Sequence, residues 1–163
     1  MTLLILQRAI PVLLLAMLCA CSPKVGGGSG LGGGGGLHSN QLDTQIAAAI
    51  GDPTTCVLLA DRASGKVLYT YGTDFNCSRG LPACDSAGTL NAKAALQFAT
   101  KPDGRFASCP SLPDGSRMVG WAEGPVQSTK HSLVYSAVME GQRALPGHEI
   151  NARLYDAFSK AGL

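Results

Sequence analysis

At 163 residues, with 45% apolar residues and a net charge of +2, the chain is long enough for one sizeable domain and too evenly charged to seek nucleic acid. With Arg8 set aside, twelve Lys and Arg stand against eleven Asp and Glu, scattered rather than gathered into a basic stripe or acidic tail. The unusual counts are six cysteines and twenty-one glycines, both unevenly placed.

The first twenty residues have the organisation of an export signal. Arg8 is the one charge before Cys21, and Ile10, Val12, Leu13, Leu14, Leu15, Ala16, Met17 and Leu18 follow it. That run of about a dozen residues fits the ~7–15 of a signal segment and falls short of the ~18–20 of a spanning helix. Pro11 also suits a spanning helix poorly. Leu18-Cys19-Ala20-Cys21 resembles the lipobox of bacterial lipoproteins, with Leu at minus three, a small residue at minus one and the modified cysteine at plus one. The resemblance implies cleavage before Cys21, loss of Cys19 with the signal, and a lipid thioether on Cys21. Three acyl chains of the palmitate kind, as the class carries, would hold the protein on a membrane, since each buried methylene adds about 0.8 kcal/mol. Ser22, where an Asp would imply inner-membrane retention, implies the outer membrane with the domain facing the periplasm.

Pro23 to Gly36 is a tether of fourteen residues, above all Gly26-Gly-Gly-Ser-Gly-Leu-Gly-Gly-Gly-Gly-Gly36. A Gly-rich chain of this length reaches roughly 20 Å on average. It is no phosphate-binding loop, because no strand precedes it and no Lys-Ser/Thr closes it. The chain therefore divides into a signal (1–20), a lipidated cysteine with its tether (21–37) and one domain (38–163).

Four cysteines remain in that domain: Cys56, Cys77, Cys84 and Cys109. In an oxidising compartment an even count reads as two disulfides, with three possible pairings. The short Ser-Arg-Gly-Leu-Pro-Ala loop favours Cys77 with Cys84, which leaves Cys56 for Cys109. No C-x-x-C occurs, and His38, His131 and His148 are not spaced as ligands, so neither a metal nor another cofactor is expected.

Asn40 or Ser39 is placed to cap a helix in which Leu42, Ile46, Ala49 and Ile50 share a face, stopped by Gly51 and Pro53. Thr54 to Ala60 and Lys66 to Tyr71 are β-rich, and Asp61-Arg-Ala-Ser-Gly65 between them makes a hairpin. After the Cys77–Cys84 loop, Thr89 is expected to cap a second helix through Leu90, Ala94, Ala95, Leu96, Phe98 and Ala99. Phe106 to Cys109 and Arg117 to Glu123 flank Pro110-Ser-Leu-Pro-Asp-Gly115, a second hairpin. Ser132 to Met139 adds a strand, Glu140-Gly-Gln-Arg143 reads as a polar loop, and Ile150, Leu154, Ala157, Phe158 and Ala161 mark a last helix. The expected fold is α+β: a five-stranded antiparallel sheet with three helices packed on it, in the order helix, two strands, helix, three strands, helix. Trp121 is expected as a core anchor on the sheet.

The element order resembles the profilin-like and roadblock architecture, and Val57-Leu-Leu-Ala-Asp-Arg-Ala-Ser-Gly-Lys-Val-Leu68 is similar to that group's opening hairpin. This implies a non-catalytic interaction module, usually dimeric. The same hairpin resembles the start of serine β-lactamases and penicillin-binding proteins, where the next helix carries Ser-x-x-Lys. Here the corresponding stretch, Pro82 to Lys93, has no Ser or Thr three residues before a Lys, and no later Lys-Thr-Gly follows. That kinship would imply a domain without its catalysis.

Chemistry sought outside any family is sparse. Ser86 has no base placed beside it, and Asp61 and Asp114 are turn acids. His131 and His148 open a strand and a helix and are expected at the surface. No catalytic residue is assigned. The functional expectation is a membrane-anchored envelope lipoprotein with a small binding or structural domain, its partners the membrane through Cys21 and an envelope protein or a second copy of itself. The alternatives are a degenerate or novel cell-wall-directed hydrolase and a small-ligand carrier.

Overall fold

The computed structural model describes residues 37–128 and 130–163; Cys21 and the Gly-rich run lie outside the described residues. Ser39–Ile50 forms α1, with Leu42, Ile46 and Ile50 buried. The helix takes in Ser39 and Asn40, both expected as caps, and the N-cap position falls to His38, which supplies no side-chain cap. Its start is set by the buried apolar spacing and not by a capping hydroxyl. Gly51 ends it with an amide bonded to Ala47 O, and Thr55 Oγ1 donates to Ile50 O at 2.8 Å.

Cys56–Asp61 (β1) and Val67–Tyr71 (β2) form the expected hairpin, with a register break between Leu59 and Ala60. Asp61 organises the turn, accepting from Ser64 N at 2.8 Å and Ser64 Oγ at 2.7 Å. A short helix not expected from the sequence, Asp74–Ser78 (α2), follows under the Thr73 cap, which accepts from Asn76 N. Leu81–Pro82 (β3) and Thr89–Leu90 (β4) pair as a two-stranded ribbon. Thr89 is therefore a strand residue paired with Pro82, and the cap is Asn91, whose Oδ1 accepts from Ala94 N at 2.8 Å. The helix it starts, Ala92–Ala95 (α3), is only four residues long and runs into a 3₁₀ turn at Leu96–Phe98.

Arg105–Pro110 (β5), Met118–Pro125 (β6) and Leu133–Gly141 (β7) complete the sheet, and Gly147–Lys160 is the last helix, α4. The five strands run in the order β2-β1-β7-β6-β5, every neighbour antiparallel. The class is the expected α+β, with four helices instead of three, and they lie on both faces of the sheet. On one face α1 and α4 bury Leu42, Ile46, Ile50, Ile150, Leu154 and Phe158 against Val57, Leu59, Ala122, Tyr135 and Ala137. On the other, Leu81, Ala92 and Ala95 cover Cys56, Leu58, Val119, Trp121 and Val138. Each large apolar side chain so enclosed contributes about 1.5–3 kcal/mol. Trp121 is fully buried as expected and donates from Nε1 to Pro82 O at 2.7 Å, which pins the ribbon to the sheet.

The start of α4 lies directly on the sheet. A Cβ on Gly120 would strike Leu145 O, and one on Gly147 would strike Trp121 O and the Ala107 backbone, so both positions need glycine for backbone to meet backbone. Gly147 N also donates to Ser108 Oγ at 2.8 Å.

Two disulfides are present, but not in the pairing that loop length favours. Cys56 joins Cys77 with a Cα separation of 5.2 Å, and Cys84 joins Cys109 at 5.4 Å. The α2 segment carries Cys77 back beneath β1, which sequence proximity to Cys84 did not reveal. Cys84, at the start of the ribbon loop with φ 74°, instead reaches the edge strand β5.

Candidate functional site

Strand alternation puts a polar row inside the face covered by α3. Arg105 on β5, Glu123 on β6 and Ser136 on β7 are cross-strand neighbours. Glu123 and Ser136 are fully buried. Arg105 Nη1 donates to Glu123 Oε1 and Oε2 at 3.1 and 3.2 Å, while its Nε and Nη2 grip Asp85 at 2.7 Å each. Nη2 also reaches Ala83 O, and the guanidinium stacks 4.8 Å from the Phe98 ring centroid. Burial pushes the Glu123 carboxyl up to about 7, against the pull of Arg105. The same guanidinium holds Asp85 below its ordinary range. Ser136 Oγ has no hydrogen-bond partner among the described residues. A substrate has no path to a carboxylate and hydroxyl this enclosed; the cluster fastens residues 83–85 to the sheet.

A second ionic knot closes the far end of the sheet. Glu140, read from sequence as the start of a polar loop, is a buried β7 residue. It takes Arg117 at 2.7 Å through both oxygens, Arg79 at 2.9 Å and Ser111 Oγ at 2.7 Å. These donors hold its carboxyl down at about 2, Arg117 foremost. The strand runs on because one buried carboxylate collects the residue that ends α2 and both ends of the β5–β6 connection.

An accessible groove of about 270 Å³ lies where the start of β5 and the end of β6 meet α4. Pro102, Asp103 and Gly104 form one lip, Pro125, Val126 and Gln127 another, and Asn151, Tyr155, Phe158 and Ser159 come from the helix. Two aromatic rings are exposed beside it, Phe106 at 42% and Tyr155 at 52%, a large area to leave in water. The floor is rigid. Tyr135 packs edge-to-face on Phe158 with centroids 5.4 Å apart, and its hydroxyl donates to Asn151 Oδ1 at 2.5 Å. Burial raises the Tyr135 hydroxyl well above its ordinary value, so it stays a donor to Asn151 Oδ1, and the Asn151 Nδ2 amide is not used in that bond.

No family model, curated protein or solved structure matches this chain.

The candidates taken from sequence do not converge. Ser86 is exposed in the β3–β4 loop, and Asp61 and Asp114 are turn acids, each held by a serine two or three residues on. His148 is exposed on the first turn of α4, and His131 is half-buried just before β7. Pro82 to Lys93, where the β-lactamase resemblance would set a catalytic helix, is ribbon, loop and the first turn of α3. Among the described residues no three His, Cys, Asp or Glu side chains gather as metal ligands, and no helix is long and apolar enough to cross a membrane. The groove residues were missed because their signal is three-dimensional: Phe106 and Tyr155 are 49 positions apart and meet only when α4 crosses the sheet. Glu123 left a trace, a carboxylate in step with Val119 and Trp121 on an inward-facing alternation.

Proposed function

We propose that this chain is a lipid-anchored lipoprotein of the bacterial envelope whose domain is a binding module, held near the outer membrane by acylated Cys21 and a Gly-rich tether. The reading is carried by the groove beside α4, which leaves Phe106 and Tyr155 in solvent while the buried carboxylates Glu123 and Glu140 are closed by arginines. A protein whose buried charges fasten loops, and which exposes aromatic rings around a packed floor, suits holding a ligand. The lipobox-like Leu18-Cys19-Ala20-Cys21 supports the anchor, and the roughly 20 Å tether supports reach to a surface close to the membrane.

Metabolic labelling with an alkyne fatty acid tests the anchor. Label is expected on the wild-type chain and not on Cys21→Ser, which should leave the membrane fraction. Membrane retention of an unlabelled Cys21→Ser chain would refute it.

A further inference from the structure

We infer that the groove beside α4 is a saccharide site, taking a short stretch of neutral glycan stacked on Tyr155 and Phe106 and hydrogen-bonded by Asp103, Gln127 and Asn151. The inference rests on the binding-module reading and names its ligand class. A sugar ring presents an apolar C–H face and a rim of hydroxyls, and the groove offers a partner for each. Exposed rings on the β5 and α4 sides supply electron-rich faces for the C–H surface. Around them stand an acceptor-only carboxylate (Asp103), a full amide (Gln127), an amide whose Nδ2 is not used in the bond to Tyr135 (Asn151) and a hydroxyl (Ser159).

Charge narrows the class. Asp103 is the one ionised side chain among the described lining residues, and neither Lys nor Arg lines the groove. A phosphate or sugar acid would meet a carboxylate with no counter-charge, whereas a neutral polyol would not. An extended proline-rich peptide, the other ligand suited to aromatic grooves, presents carbonyl acceptors; these would oppose the Asp103 carboxylate, while hydroxyls donate to it. The volume, about 270 Å³, is near the lower bound of small-ligand sites, which limits contact to a short segment of a longer chain.

The test uses the full mature chain in detergent, titrated calorimetrically with three probes: chitotetraose as a neutral glycan, a sialylated oligosaccharide as an acidic one, and a proline-rich decapeptide. Chitotetraose should bind in the submillimolar range and the other two should not. Tyr155→Ala should weaken it about five- to tenfold, the worth of one stacked ring, and Tyr155→Trp should restore it. Equal melting temperatures keep these variants interpretable. Absence of chitotetraose binding at millimolar concentration, binding indifferent to Tyr155→Ala, or preference for the peptide would each overturn the saccharide assignment. A photoreactive phenylalanine analogue in place of Tyr155, used in cells, separates the two levels. Crosslinking to a protein would overturn the glycan and leave a tethered binding module; failure of both crosslinking and glycan binding would remove the module reading as well.

Discussion

Replacing Arg105 with leucine keeps a side chain of useful bulk in the cluster and removes its charge. Asp85, half exposed at 52%, returns to water at little cost, so the penalty falls on Glu123, which has no exposure at all. Breaking a buried pair by deleting one partner costs about 3–5 kcal/mol. For a domain of this size that is a fall in melting temperature of roughly 10–20 °C. The loss should depend on pH. Arg105 is what draws the Glu123 carboxyl downward, so without it the group protonates more readily, and the deficit should be larger at pH 8 than at pH 5. Adding Glu123→Leu should recover most of the stability, because two apolar side chains need no counter-charge. Urea unfolding followed by Trp121 fluorescence measures all three proteins under oxidising conditions. An Arg105→Leu variant within about 0.5 kcal/mol of wild type at pH 8 would refute a buried, charge-dependent clamp.

Non-reducing peptide mapping should yield Cys56 linked to Cys77 and Cys84 linked to Cys109; recovery of a Cys77–Cys84 peptide would contradict the fold around α2. Gly147→Ala should destabilise by about 1–3 kcal/mol or more, because its methyl group enters the Trp121 carbonyl, and a neutral effect in thermal unfolding would mean that α4 is not seated on the sheet. Stability against pH should peak in the mildly acidic range. The raised Glu123 carboxyl loses stability as pH climbs from its ordinary 4.5 through about 7, while Glu140, held at about 2, loses it as pH falls below 4.5. A steady rise in stability from pH 4.5 to 7.5 would argue against a Glu123 carboxyl raised by burial.

The framework was legible where a local pattern and its burial agree. The first hairpin followed from β-rich runs around Asp61 to Gly65, and α4 from the spacing of Ile150, Leu154 and Phe158. Boundaries slipped where a buried contact outweighs the local signal. Glu140 looked like the beginning of a loop because carboxylates favour solvent, yet two arginines remote in sequence make its place in β7 stable. The apolar residues from Leu90 to Ala99 suggested a long helix, but Leu90 is drawn into a strand against Leu81, leaving α3 four residues. The candidate site was nearly illegible, since no repeat or motif ties Asp103 and Phe106 to Asn151 and Tyr155. Only the crossing of α4 over the sheet end does that.

The two disulfides follow one another along the chain, 56 with 77 and 84 with 109, neither enclosing nor crossing the other. If the chain is exported, as proposed above, an oxidase that joins thiols in the order they emerge would make these bonds the first time. Cys77 arrives when Cys56 is its one possible partner in the domain, and Cys109 when Cys84 alone is left. The nested alternative, 56 with 109, would oblige the first thiol to wait for the last. The connectivity found is the one that pairing in chain order would produce, so it could be reached without first forming a bond that must later be exchanged.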